Sequence, residues 1–166
     1  MSTIGSNYVI KELQRGDTIY RLEIWDTSGQ EKYRAVTKLF IQNAKIVILV
    51  YSIDNKESFN VLDFWYKAVL EISGSDDVVF GVVANKADLY EDLCEEDLIS
   101  EEEGRKYAHN INAIFKSISS KYDNKSICSL FDQLLDQYVR RNPERIFEQN
   151  SFKIKPPIHK KKKKSC

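Results

Sequence analysis

The sequence predicts an α/β fold: a largely parallel sheet with helices on its faces. Two runs, Lys45–Tyr51 (KIVILVY) and Val78–Ala84 (VVFGVVA), are continuously apolar and rich in β-branched residues, as expected of strands buried on both faces. Segments with apolar residues at helical spacing separate and follow them. Strands that alternate with helices build an open sheet, and ligands of such sheets sit at the carboxyl ends of the strands.

The elements can be justified in order. Tyr8–Leu13 and Thr18–Trp25 are extended runs joined at Gln14-Arg15-Gly16-Asp17. In the second, Tyr20, Leu22 and Ile24 alternate with Arg21 and Glu23, the period-2 pattern of a half-buried strand. The short glycine-containing connection makes the pair an antiparallel hairpin. After Lys45–Tyr51, the segment Lys56–Ile72 places Phe59, Leu62, Trp65, Val69 and Ile72 on one helical face, behind an Asp54…Glu57 cap. Val78–Ala84 is the second buried strand. Ser100-Glu-Glu-Glu103 opens the next helix as a capping box. Ala113–Ser117 is the third parallel strand. Lys125–Arg141 carries Ile127, Leu130, Phe131, Leu134, Leu135, Tyr138 and Val139 at amphipathic helical spacing. Beyond Asn142-Pro143 the periodicity stops. The expected division is a domain over residues 1–142 and a flexible tail over 143–166.

A chain of 166 residues suits one domain with a real core. The longest apolar run, Ile46 to Val50, is far below the roughly 20 residues needed to cross a bilayer. The opening Met-Ser-Thr-Ile-Gly-Ser-Asn lacks the basic-then-apolar pattern of a signal peptide, and the expected location is cytosolic. Cys94 and Cys128 have no metal-ligand spacing and read as reduced thiols; Cys166 is the last residue. The formal net charge of zero hides an asymmetry: residues 151–166 carry seven lysines and no acid, leaving 18 basic and 25 acidic side chains in residues 1–150. An acidic body argues against a nucleic-acid-binding domain, and a basic tail suits an anionic surface.

Two motifs sit where ligands are expected. Trp25-Asp26-Thr27-Ser28-Gly29-Gln30-Glu31-Lys32-Tyr33-Arg34 begins at the end of the second strand. A strand-end carboxylate can hold Mg²⁺ through water, a glycine lets a backbone N–H approach a phosphate oxygen, and a glutamine amide can position a water. Asn85-Lys86-Ala87-Asp88 follows the buried run VVFGVVA. An amide and a carboxylate three residues apart can read the hydrogen-bonding edge of guanine, with the lysine stem along the base. The first run resembles the switch II segment of Rab GTPases in the Ras superfamily, WDTAGQERYR, with Ser28 for alanine and Lys32 for arginine. Asn85-Lys86-Ala87-Asp88 matches the superfamily's guanine-specificity motif, and Phe115-Lys-Ser-Ile-Ser-Ser-Lys121 is similar to F-x-E-T-S-A-K, retaining Phe115, Ser119 and Lys121. Leu49-Val-Tyr-Ser-Ile-Asp54, Glu57-Ser-Phe59 and Trp65 keep the register of the Rab LVYDIT…ESF…W stretch. Thr3-Ile4-Gly5-Ser6-Asn7-Tyr8 resembles switch I, TIGVDF.

The resemblance implies a Ras-like P-loop GTPase sheet, and a GTP-binding switch with slow GTP hydrolysis in vesicle traffic, using GTP or GDP and Mg²⁺. It assigns Gln30 to orienting water, Thr3 and Asp26 to Mg²⁺, and Gly29 and Thr3 to the γ-phosphate. It assigns Asn85, Lys86 and Asp88, with Ser119, Ser120 and Lys121, to the base. Effectors and exchange or activating proteins would meet Ile4–Tyr8 and Trp25–Arg34. The chain departs from the family at its start. No G-x-x-x-x-G-K-[ST] occurs among the 166 residues, whose glycines are 5, 16, 29, 74, 81 and 104. Against the family's pattern the central first strand, phosphate-binding loop and first helix are missing. Two consequences are expected: hydrophobic sheet edges facing a slot, and nucleotide binding reduced to base contacts of about 1 kcal/mol each, ~mM overall. The alternative is a degenerate GTPase fold used as a nucleotide-independent protein-binding module. The tail, His159, five lysines, Ser165 and Cys166, reads as a membrane anchor with Cys166 as the lipidated residue on the cytosolic face of endomembranes, or as a solvated or nuclear-localisation-like basic run.

Overall fold

The computed structural model describes residues 7–27, 41–73, 77–94, 96 and 98–143. Thr3, the switch I residues up to Ser6, Ser28–Arg34 with Gly29 and Gln30, and the tail with Cys166 lie outside the described residues.

Strands β1 (Asn7–Arg15) and β2 (Thr18–Asp26) form an antiparallel hairpin in which Arg15 faces Thr18 and Asn7 faces Asp26. The turn needs a left-handed residue at Gly16, φ +57°, which glycine supplies without a Cβ penalty. Strands β3 (Ile46–Ser52), β4 (Val79–Asn85) and β5 (Ile114–Ile118) form a parallel sheet in the order β3-β4-β5. Among the described residues the two sheets share no ladder, so β2 and β3 each keep one edge without a strand partner.

Helices α1 (Lys56–Asn60), α2 (Leu62–Ser73), α3 (Glu101–Asn110) and α4 (Asn124–Arg141) cover the parallel sheet. β4 is buried along Val79–Ala84, and its alternation divides the core. Phe80, Val82 and Ala84 join Leu49, Tyr51, Ile53, Leu62, Val69 and Ala108 on one face, while Val79 and Val83 join Ile118, Leu130 and Leu134 against α4 on the other. Gly81 lies on the α4 face, where a Cβ would stand 3.2 Å from Leu134 Cδ2.

Two sequence expectations are corrected. The helix expected over Lys56–Ile72 is interrupted at Val61, yet Val61 N–H donates to Glu57 O and Trp65 N–H to Val61 O. The hydrogen-bond ladder crosses the break, which is one distorted residue rather than a loop. The cap is Asn55, whose side chain accepts from Ser58 N–H at 3.0 Å. Asp54 is instead taken up by Ser52 and Lys86. The Ser100 capping box forms as expected, with Ser100 Oγ accepting from Glu103 N–H and the Glu103 carboxylate accepting from Ser100 N–H.

The hairpin is fastened to α4 along one stripe. Arg15 Nη2 meets Asp132 Oδ1 at 2.7 Å and Arg15 Nε meets Asp136 Oδ1 at 2.6 Å. One turn earlier, Lys11 Nζ lies 3.5 Å from Cys128 Sγ and 6.0 Å from the Phe131 ring centroid. Hydrogen bonds to Asp136 and then Asp132 hold the Arg15 guanidinium above its ordinary pKa.

Candidate functional site

β4 and β5 run side by side with Asn85 opposite Ile118, so the loops that leave them are neighbours at the carboxyl end of the sheet. Those loops carry six of the residues singled out in the sequence: Asn85, Lys86 and Asp88 after β4, and Ser119, Ser120 and Lys121 after β5.

Asn85 binds the two loops together. Its Oδ1 accepts from Lys86 N–H at 2.8 Å and from Ser120 N–H at 3.1 Å. Its backbone carbonyl accepts from Ile53 N–H at 3.1 Å, joining the end of β3 to the same cluster. Lys86 then adopts a left-handed conformation, φ 64°, ψ 36°, uncommon for a residue with a Cβ. Strained backbone of this kind collects where a loop must present specific groups. The turn leads into a 3-10 helix, Ala87–Glu91. Asp88 is half-buried on it, and its carboxylate accepts no hydrogen bond from another described residue.

The Lys86 ammonium crosses to the end of β3, reaching Asp54 Oδ2 at 2.9 Å and Oδ1 at 3.1 Å. Ser52 Oγ also donates to Asp54. The Ser52 hydroxyl first, and then Lys86, hold the Asp54 carboxyl below its ordinary range. The sequence signals this partner only faintly: a carboxylate two residues beyond a buried strand is a cap as often as an ion-pair partner.

In the β5 loop, Ser119 is 7% exposed and its buried Oγ has no hydrogen-bond partner among the described residues. Its carbonyl accepts from Tyr122 and Asp123 N–H at 3.2 and 2.8 Å, making a tight turn. Asp123 then caps α4 by accepting from Ser126 N–H at 2.9 Å. The Lys121 ammonium lies 4.6 Å from the Tyr122 ring centroid, a cation–π distance.

These residues fit the base end of a nucleotide. A half-buried carboxylate and a buried hydroxyl, neither with a hydrogen-bond partner among the described residues, sit on two neighbouring strand-end loops, and groups of this kind can read a flat heterocycle with both donor and acceptor edges. Asp26 is the last residue of β2. Thr3, Gly29 and Gln30 lie outside the described residues. Among the described residues, no cluster of three or more His, Cys, Asp or Glu could hold a metal ion.

Comparison with known proteins places this geometry in context. A family model described as the Ras family matches residues 1–140. The chain is 35% identical to mouse (Mus musculus) Ras-related protein Rab-12 over 143 residues, 86% of this chain and 56% of the relative. It is 35% identical to human (Homo sapiens) Ras-related protein Rab-3A over 144 residues, 87% of this chain and 63% of the relative. It is 32% identical to human Ras-related protein Rab-17 over 144 residues, 87% of this chain and 66% of the relative. The chain thus spans a little over half to two thirds of the length of these relatives.

Proposed function

The chain belongs to the Ras family, and on that premise we propose that it is a Rab-like, guanine-nucleotide-dependent switch in membrane traffic. The observation that carries the reading is the bond from Ser120 N–H to the Asn85 carboxamide, which ties the Asn85–Asp88 loop to the Ser119–Lys121 loop.

In this reading the Asp88 carboxylate accepts from the N1–H and the exocyclic amine of guanine. The backbone N–H of Lys121 donates to the guanine carbonyl, while that of Ser120 stays on Asn85, and the Lys86 stem lies along the ring, its ammonium anchored by Asp54. Asn85 Oδ1 ties the two loops together, and its amide nitrogen would meet the base. Thr3 and Asp26 would hold Mg²⁺, which neutralises phosphate charge when bound. Gly29 would approach the γ-phosphate, and Gln30 would orient water. Ile4–Tyr8 and Trp25–Arg34 would meet effectors and regulators, with Trp25 and Ile10, 44% and 41% exposed, extending that surface along the hairpin. Cys166 would carry a lipid, and the lysine tail would meet an anionic cytosolic membrane face. No helix among the described residues is long and apolar enough to cross a membrane.

The test is a titration of the 166-residue chain with GDP, GTP and the matching adenine nucleotides, with and without Mg²⁺, followed by amide NMR at Asn85, Lys86 and Ser120. Guanine-selective shifts are expected, with affinity about mM where only base contacts act. Equal shifts with adenine nucleotides, or none at all, would overturn the reading. In that case the second reading would stand: a GTPase fold serving as a nucleotide-independent binding module.

A further inference from the structure

We infer that a groove at the C-terminal end of α4 binds a phosphorylated polyol, the chemistry of an inositol phosphate. The groove encloses about 440 Å³ and is lined by Ile114, Gln133, Gln137, Arg140 and Arg141. That volume lies in the range of small-molecule sites, roughly 300–1,000 Å³.

Topology fixes its location. α4 starts beyond the carboxyl end of β5 and runs back along the sheet, so Arg140 and Arg141 finish beside Ile114, the first residue of β5. Arg141 also lines a smaller groove of about 170 Å³ with Val78 and Phe80, at the start of β4. Both grooves therefore open at the amino ends of the strands, opposite to Asn85 and Ser119. The last described residue, Pro143, follows α4 and its cap Asn142 directly.

The chemistry of the wall selects the ligand. Among the described residues neither Arg140 nor Arg141 forms an ion pair, and the one side-chain hydrogen bond of Arg140 there is from Nε to Asp136 O at 3.2 Å. Two guanidinium groups with unused donors suit phosphate, which they grip bidentately. Gln133 and Gln137 stand one helical turn apart on the same wall. Gln133 Nε2 donates to Ser129 Oγ at 3.1 Å, while Gln137 Oε1 is buried with no hydrogen-bond partner among the described residues. An unanswered buried acceptor is costly, so this amide gains by turning toward a donor in the groove. Inorganic phosphate, with one or two P–OH donors at neutral pH, is small against a groove of about 440 Å³. A ring bearing both phosphates and hydroxyls answers the arginines and the amide together.

The site deepens the reading of the tail as a membrane contact and rests on that reading only for the ligand's source, a lipid headgroup or a soluble polyol phosphate. The full chain, without nucleotide, is titrated with vesicles of phosphatidylcholine carrying either phosphatidylserine or phosphatidylinositol bisphosphate at equal surface charge, and separately with free inositol trisphosphate. The variants are Arg140→Gln with Arg141→Gln, Gln137→Leu, and Lys160–Lys164 all changed to glutamine, with circular dichroism confirming that each remains folded. Binding to bisphosphate vesicles should exceed that to charge-matched serine vesicles. The arginine pair should lower it about tenfold or more, and Gln137→Leu should narrow the preference. The lysine changes should weaken both vesicle types alike. Arginine-dependent binding of free inositol trisphosphate without vesicle preference upholds the site and assigns it a soluble ligand. Equal binding to the two vesicle types, together with inositol trisphosphate binding unaffected by the arginine and Gln137 changes, overturns the proposal.

Discussion

Gly104 in α3 shows how one hydrogen atom can be required. A Cβ built there would stand 2.1 Å from Tyr51 Oη and 2.7 Å from Phe115 Cε2, both on ring systems held by the core. Gly104→Ala improves helix propensity, but overpacking of this kind costs about 1–3 kcal/mol, so chemical denaturation should show net destabilisation. The same contact makes a second prediction. Tyr51 Oη is buried without a hydrogen-bond partner, so Tyr51→Phe should be neutral or stabilising. A clear loss of stability in that variant would mean the hydroxyl has a partner in solution. At the candidate site, Asp88→Asn replaces two acceptor oxygens by one acceptor and one amide donor. Guanine preference should fall and xanthine preference rise by about tenfold or more, since each unanswered hydrogen bond in such a site is worth about 1–3 kcal/mol. Competition between the two nucleotides measures it.

At the scale of elements, helix ends and fastenings matter more than propensity. Ser100→Ala removes one half of a capping box whose other half is Glu103, at a cost of about 0.5–2 kcal/mol. Thermal melts of the variant should show it, and Ser100→Asp should restore most of the loss. Arg15 is different. Its ion pairs with Asp132 and Asp136 are part-exposed, with 30% of the Arg15 side chain accessible, and such pairs contribute only about 0–1 kcal/mol. Their importance is local. Arg15 and Lys11 are the described polar ties between the hairpin and α4. Arg15→Gln should therefore speed amide exchange in β1 and β2 while leaving β4 protected, and uniform exchange in both sheets would argue against a separately fastened hairpin.

For the whole molecule, two features set the stability. Among the described residues β2 and β3 each present an edge without a strand partner, and Val50 on β3 is 54% exposed. Open apolar edges invite pairing between chains, so the 166-residue chain should show concentration-dependent association in sedimentation. The pH response follows from shifted groups. Asp54, held down by Ser52 and Lys86, and Glu103, held down by Ser100, bind protons less readily folded than unfolded. Their contribution is present above the unfolded carboxyl values, about 4, and is lost as pH falls through and below them. Burial pushes Tyr107 up to about 12 and raises Tyr51 further. Unfolded tyrosine ionises near 10, so stability is complete below about pH 10 and declines as pH rises beyond it. Denaturant midpoints across pH should be level in between, with a fall on each side.

Local pattern was enough for every strand and helix that buries a face. Continuous β-branched runs marked β3 and β4, alternation marked β2, Ser100 with Glu103 marked the start of α3, and the spacing from Ile127 to Val139 marked α4, because periodicity is imposed by the surface each element must bury. The motif residues after β4 and β5 were legible for the same reason: strand ends in an α/β sheet face a shared edge. What local pattern could not decide was partnership across the chain. Asp54 read as a helix cap, and only the parallel register of β3 beside β4 brought it to Lys86 instead. Ser120 meets Asn85 across 35 positions, and Arg15 meets Asp136 across 121. The groove that joins Arg140, Arg141 and Ile114 exists only because α4 returns to the amino end of the sheet. Sequence by itself determined the type and order of the main elements and which faces they bury, since those demands are local. The exact ends, such as the Asn55 cap and the break at Val61, were not legible. Tertiary structure alone decided which polar groups meet, because a side chain's nearest acceptor is set by packing and not by position along the chain.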